Sequence, residues 1–291
     1  MERNTVGLVM EGGGMRGMFT AGVLDVMMEH HIRVDGAIGV SAGAVFGCNY
    51  KSGQIGRAIR YNKRFCNDRR FAGFGSWIRT GDLYSKSFAY GEVPQHLDPF
   101  DTLAFAKDPM PFYVVATDAK TGSAVYHNCK TGDAEDIEWM RASASIPLAS
   151  RAVRIGEWEL FDGGVADPIP IAKFREIGYK NNIVILTREE QYIKKEIRGK
   201  FFLSIFLRKY PALIRQIENR HKIYNQTLAA LEKYERDGNV LILRPPQAVR
   251  PKLLERDPEV LDTIYRLGRQ EAEKNIESIH KFIKKSRDSS F

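Results

Sequence analysis

Apolar runs and amphipathic stretches alternate along the first two-thirds of the chain. TVGLVM, residues 5–10, carries no charge and predicts a short buried strand. The glycine-rich EGGGMRG follows as a turn. Between Arg16 and His30, the residues Met18, Ala21, Val23, Leu24, Met27 and Met28 recur at helical spacing. VDGAIGV, 34–40, is a second strand-like run. After Ser41, AGAVFGCNYKSGQIGRAIRYNKRF can be helical for several turns despite its glycines. Residues 66–100 are turn-rich and aromatic and show no clear period. PFYVVATDAKTGSAVYHN, 111–128, reads as two strands around a Thr-Gly turn. Residues 134–143 read as a helix, and AVRIGEWELFDGG, 152–164, as a hairpin with Gly156 at its tip. KFREIGY and NNIVILT predict a helix and then a strand. Residues 190–291 predict a mainly helical region with charged faces. Strands alternating with helices imply an α/β protein with a largely parallel sheet.

GVSAGA, 39–44, sets Ser41 between Gly39 and Gly43 directly after the second apolar run. A serine nucleophile on a sharp strand-to-helix turn needs small neighbours. Gly39 and Gly43 meet that need, and Ala42 and Ala44 add no bulk. Taken alone, a closely packed turn would look the same. Acyl transfer also needs N–H donors for the oxyanion formed when a carbonyl is attacked. A glycine loop at a helix N-terminus has free N–H groups and the positive end of the helix dipole. Gly12, Gly13 and Gly14 are therefore candidate donors, and Arg16 adds fixed positive charge. The same loop, as Gly12-x-Gly14-x-x-Gly17 with Asp35 downstream, also satisfies the dinucleotide-binding fingerprint. That alternative gives the second glycine turn and its serine no purpose.

A serine hydroxyl is a weak nucleophile without a base beside it. Of the six histidines, His127 near a strand end is the candidate. His30 and His31 end the first helix, His96 sits in a loop, and His221 and His280 fall in the charged helical third. FDGG, 161–164, offers Asp162 at a strand end. Gly163 and Gly164 after it permit a tight turn and close backbone approach. Asp-Gly is also an ordinary turn pair, so Asp162 gains meaning only together with Ser41.

Composition narrows the class. The chain has 291 residues, 43% hydrophobic and 27% charged, enough to bury a core without disulfides. Cys48, Cys66 and Cys129 lack paired or metal-ligand spacing, which argues for a reducing compartment and against a structural metal. The first apolar run is too short for a signal-peptide core, and no run reaches about 18 apolar residues. The expectation is a cytoplasmic protein. The net charge of +8 is uneven, because residues 191–291 carry 22 Lys+Arg against 13 Asp+Glu. Such asymmetry suggests an anionic partner, either lipid headgroups or nucleic acid. No zinc finger or RNA-binding aromatic signature accompanies it, so nucleic acid is not expected.

Together, three blocks resemble the patatin-like phospholipases, and more closely their bacterial cytoplasmic members. EGGGMRG resembles the family's oxyanion loop, GVSAG its nucleophile elbow, and DGG at 162–164 its aspartate motif. ASASIPLAS, 142–150, resembles the small-residue segment that precedes the aspartate. The resemblance implies a three-layer α/β catalytic domain, here residues 1–190; residues 191–291 match none of its motifs and are expected to pack on that domain as a mainly helical basic region. It implies hydrolysis of lipid esters without metal or other cofactor. Asp162 would take the Ser41 proton, and Ser41 would form an acyl-enzyme. Gly12, Gly13, Gly14 and Ala42 would hold the oxyanion, with Arg16, Gly17, Gly39, Gly43, Gly163 and Gly164 in support. An acyltransferase using the same pair, an NAD(P)-binding oxidoreductase and a catalytically silent lipid-binding protein remain alternatives.

The basic third contains FFLSIFL, preceded by Lys194, Lys195, Arg198 and Lys200 and followed by Arg208 and Lys209. Basic flanks around a short apolar block suit an interfacial helix on the anionic inner face of a membrane. A core-packing helix with solvated ends is the competing reading. Oligomeric state is not legible.

Overall fold

The computed structural model describes residues 5–197 and 199–288. Arg198, one of the basic residues named above, lies outside the described residues, as does the side chain of Lys200. Eight strands form one sheet: β1 (Val6–Met10), β2 (Gly36–Val40), β3 (Phe112–Asp118), β4 (Ala124–Cys129), β5 (Val153–Ile155), β6 (Trp158–Asp162), β7 (Asn181–Ile185) and β8 (Val240–Leu243). Their order is β5-β6-β3-β2-β1-β7-β8, with β4 also paired to β3. The run β3-β2-β1-β7-β8 is parallel, whereas β4, β5 and β6 pair antiparallel. β1 and β2 are buried along their whole length, so their sequences show no polar alternation.

The helices are α1 (Met18–Glu29), α2 (Ala42–Ser52), α3 (Arg57–Phe65), α4 (Phe74–Thr80), α5 (Thr102–Lys107), α6 (Ala134–Ser143), α7 (Ile171–Ile177), α8 (Lys200–Phe206), α9 (Pro211–Arg236), α10 (Pro258–Lys274) and α11 (Ile276–Asp288). Side chains alternate across the sheet. Leu8 and Met10 of β1 join the core with α1, α2, α6 and α10, while Val9 joins the opposite core with α7 and α9. This is a three-layer α/β fold.

Two elements differ from expectation. The first helix is buried on nearly every side, because α10 covers its outer face. The C-terminal third is mainly helical but also supplies β8, which extends the sheet beside β7. The unassigned 66–100 stretch contains α4 and a π-helical segment, Phe88–Leu97, around Pro94. Tyr84, Phe65 and Phe88 pack there against one another through Phe71 and edge-on ring contacts. The apolar block of α8 is divided: Leu203 is buried, and Ile205 and Phe206 are exposed. No described helix is long and apolar enough to cross a membrane.

Candidate active site

Strand register brings the three sequence blocks together. Met10 pairs with Gly39, so the loops that leave β1 and β2 start side by side at the carboxyl ends of parallel strands. Open α/β sheets place their sites there. Val40 pairs with Val115, and Asp162 pairs with the next residue, Ala116, so β6 ends beside the elbow.

Ser41 joins β2 to α2 with φ 54° and ψ −119°. A non-glycine residue held at positive φ costs about 1–3 kcal/mol and persists only where its surroundings enforce it. Close packing enforces it here. A Cβ on Gly39 would lie 2.4 Å from the Gly43 carbonyl oxygen, and one on Gly43 would lie 2.5 Å from that of Met10. The Ser41 N–H donates to Ser143 Oγ at 2.8 Å, and the Ser143 hydroxyl donates to the Val115 carbonyl at 2.5 Å.

The Ser41 hydroxyl donates to Asp162 Oδ2 at 2.6 Å. Asp162 Oδ1 accepts the Gly164 N–H at 2.7 Å. The Asp162 main chain is fixed as well: its N–H donates to the Ser145 carbonyl at 2.8 Å, and its carbonyl accepts the Thr117 hydroxyl at 2.8 Å. Gly163 lies flat on β3, where a Cβ would stand 2.1 Å from the Val115 carbonyl oxygen. Burial pushes the Asp162 carboxyl pKa up; the Arg220 guanidinium and the bonds from Ser41 and Gly164 oppose it. The net effect is a more basic carboxylate in contact with the hydroxyl.

The N–H groups of Gly13, Gly14 and Ala42 have no acceptor among the described residues. Gly12 departs from the expectation, because its N–H turns to the Pro168 carbonyl at 3.4 Å. Gly17 lies against Ala42 and seats the loop on α2. Two cavities meet at Ser41. One is apolar, walled by Val45, Phe46, Val93, Ile137 and Met140. The other lies over the glycine loop, with Arg16, Asp162 and Arg220 in its wall beside Ile197, Leu203 and Leu253.

Two alternatives lose their footing. His127 bonds Asp136 through Nε2 at 3.1 Å and stacks on Trp139, and no histidine lines either cavity. Asp35 accepts the Val6 N–H at 2.8 Å, at the opposite end of β1 from the glycine loop. It cannot meet a ribose whose phosphates sit at Gly12–Gly14. His127, Cys129 and Asp136 place ligand-type atoms within 4.8 Å of one another. Asp136 Oδ2 there is already occupied by the Thr131 and Gly132 N–H groups. Sequence reasoning did not single out Ser143, Thr117 or Arg220. Ser143 and Thr117 act through main-chain contacts, and Arg220 is one charge among many on α9.

The sequence profile described as patatin-like phospholipase matches residues 8–175, which include all three blocks. A second profile, described as a domain of unknown function, matches residues 210–284. The Escherichia coli K12 protein YjjU is 28% identical over 273 residues, covering 91% of this chain and 75% of that protein. An NTE family protein of Mycobacterium bovis is 27% identical over 167 residues, covering 57% of this chain and 44% of that protein. The chain thus spans less than half the length of the mycobacterial relative. Among solved structures, VipD from Legionella pneumophila aligns with a TM-score of 0.45 at 10% identity, over 94% of this chain and 67% of that one.

Proposed function

The chain belongs to the patatin-like phospholipase family, a family of lipid acyl hydrolases, and from that premise we propose that it cleaves carboxylic esters of lipids with Ser41 as nucleophile and Asp162 as base. The observation that carries this reading is the 2.6 Å bond from the Ser41 hydroxyl to Asp162 Oδ2 at a strained strand-to-helix turn. As Oγ attacks the acyl carbonyl, its proton passes to Asp162. The carbonyl oxygen becomes an oxyanion facing the N–H groups of Gly13, Gly14 and Ala42. Collapse of that intermediate expels the alcohol, which takes the proton from Asp162 and leaves the acyl group on Ser41. Water then gives a proton to Asp162 and attacks the acyl-enzyme, and the fatty acid leaves as Ser41 recovers its proton. The apolar cavity holds the acyl chain. If an added alcohol replaces water in the second half, the same intermediate yields acyl transfer, and product analysis with an acceptor separates the two.

The test is hydrolysis of a chromogenic medium-chain acyl ester by the wild type, Ser41→Ala and Asp162→Asn, each checked for folding. Activity in the wild type and none in either variant is the expected result. Full activity in Ser41→Ala would sink the assignment.

We also assign a peripheral contact with anionic membrane to the segment around α8. Ile205 and Phe206 are exposed there, with the exposed Arg208 and Lys209 following and the exposed Lys195 preceding. Co-sedimentation with vesicles is expected to rise with anionic lipid. Equal binding to neutral and anionic vesicles would remove the electrostatic part.

A further inference from the structure

Four cations converge on the glycine-loop side of Ser41. Arg16 and Arg220 wall the cavity there, and Arg188 and Lys194 stand close enough to act on them electrostatically. All four are half-buried. Glu11 and Asp162 are acids that act on them, and both already have partners; Glu189, next to Arg188 in sequence, has a buried Oε2 without a hydrogen-bond partner. Glu11 accepts the Tyr224 hydroxyl at 2.8 Å and the Thr187 N–H at 2.5 Å, and Asp162 accepts from Ser41 and Gly164. Among the described residues, no carboxylate oxygen lies within 4.0 Å of any of the four cations. The Nε groups of Arg16 and Arg220 are buried without a hydrogen-bond partner.

The cluster is built to stay in place. The Lys194 main chain exchanges two bonds with the Asn225 side chain of α9, at 2.9 and 3.0 Å. Lys194 Nζ lies over the Tyr224 ring, and the Arg188 guanidinium lies over the Tyr192 ring. These two rings meet edge-on at 5.8 Å. Holding like charges together in a half-buried place is unfavourable. The strain registers in Lys194, which burial and Arg220 pull down to about 8, and in Arg16, which burial and Arg188 lower. By formal charge, two positive charges are left over after Glu11 and Asp162. A phosphate monoester dianion supplies that charge, and its oxygens suit guanidinium donors.

We propose that Arg16 and Arg220, with Arg188 and Lys194 beside them, form an anion site for a terminal phosphate monoester, the headgroup of a lipid whose acyl ester reaches Ser41. The site rests on the hydrolase reading only for that last contact. Its acyl chain enters the apolar cavity while its phosphate sits under α9. A choline or ethanolamine diester has one negative charge on its phosphate instead of two and carries a bulky cation, and it binds less well.

The test is calorimetric titration of the full chain carrying Ser41→Ala, which needs no turnover. The probes are inorganic phosphate, octanoyl glycerol 3-phosphate and octanoyl glycerophosphocholine. The monoester lipid is expected to bind about tenfold or more tighter than the choline diester, a difference of about 1.4 kcal/mol. Lys194→Gln is expected to erase the difference and Lys194→Arg to restore it, with Arg188→Gln as an independent second variant. Equal affinity for monoester and diester, or indifference to both glutamine variants, overturns the site. Inorganic phosphate binding as tightly as the monoester lipid would assign the site to free phosphate and overturn the headgroup. Binding that behaves as expected in a chain whose wild type hydrolyses nothing would defeat the Ser41 reading and leave the anion site standing.

Discussion

The backbone N–H of Ser41 is held by the hydroxyl of Ser143, 102 residues away in sequence, at 2.8 Å. The Ser143 hydroxyl in turn donates a hydrogen bond to the Val115 carbonyl, so a buried serine at the end of α6 ties the elbow to β3. Ser143→Ala leaves the Ser41 N–H without its partner, at a cost of about 1–3 kcal/mol. Ser41 then loses one of the contacts that hold its positive φ. The expected outcome is a lower melting temperature and kcat reduced about tenfold or more, with KM changed much less. Steady-state kinetics on a soluble ester and a thermal melt check it. An unchanged kcat would mean that glycine packing alone holds the turn.

Asp162 must be ionised to accept the serine proton, and burial raises its pKa. The acid limb of kcat/KM is therefore expected above pH 3.8, the value of an ordinary aspartate, and activity is lost as pH falls through it. Arg220 is the largest influence in the opposite direction. Arg220→Gln removes that positive charge and is expected to shift the acid limb to higher pH. A pH–rate profile of both proteins decides the matter. A limb that stays in place would mean that Arg220 does not act on Asp162.

The same shift has a stability consequence. A carboxyl whose folded pKa exceeds its unfolded value costs stability as pH rises above the unfolded value, and the full cost is present above the folded value. At neutral pH the ionised Asp162 is thus a net burden on the fold. Asp162→Asn keeps an acceptor oxygen for one of its two donors and removes the buried charge. It is expected to abolish hydrolysis while leaving the chain as stable as wild type or more so at pH 7. Denaturant unfolding measures this, and a marked loss of stability would show that the two hydrogen bonds outweigh the buried charge.

Which features were legible from sequence depends on how local their cause is. β1 and β2 are short apolar runs because both faces are covered, and the elbow shows as glycines because only glycine fits 2.4–2.5 Å from a carbonyl. β8 was not legible: VLIL is four residues among helices and becomes a strand by pairing with β7. Residues 66–100 take their shape from aromatic contacts made only in the fold. Arg220 reads as one more charge on a charged helix until α9 brings it to Asp162. Gly12 looked equivalent to its neighbours, and the difference comes from the Pro168 carbonyl, which is remote in sequence.

α10 and α1 meet through glycines that no periodicity revealed. A Cβ on Gly268 would lie 2.0 Å from the Phe19 carbonyl oxygen, and one on Gly22 would lie 2.1 Å from that of Tyr265. Neither neighbour is a side chain that can swing away. Gly268→Ala must push the helices apart, although alanine favours a helix. It is expected to destabilise the chain by about 1–3 kcal/mol, as overpacking does in a dense core. Thermal melts and limited proteolysis of the C-terminal third check it. A neutral result would show that α10 is free to shift on α1.

Lys194 gives the anion site a pH signature. Around it stand Arg220 and Tyr224 from α9, Glu11 and Arg16 from the loop after β1, and Arg188 and Tyr192 after β7. A guanidinium is charged across the accessible pH range, and burial pushes Tyr224 upward, away from neutrality. Lys194, pulled down to about 8, is the cation that loses its proton as pH rises. Sulfate is the probe to use, because its own charge is constant from pH 7 to 9. Its affinity is expected to fall about tenfold over that interval, one charge-assisted contact being lost. In Lys194→Arg the charge persists, and the affinity is expected to stay level. A fall of equal size in both proteins would place the titrating group elsewhere and remove Lys194 from the site.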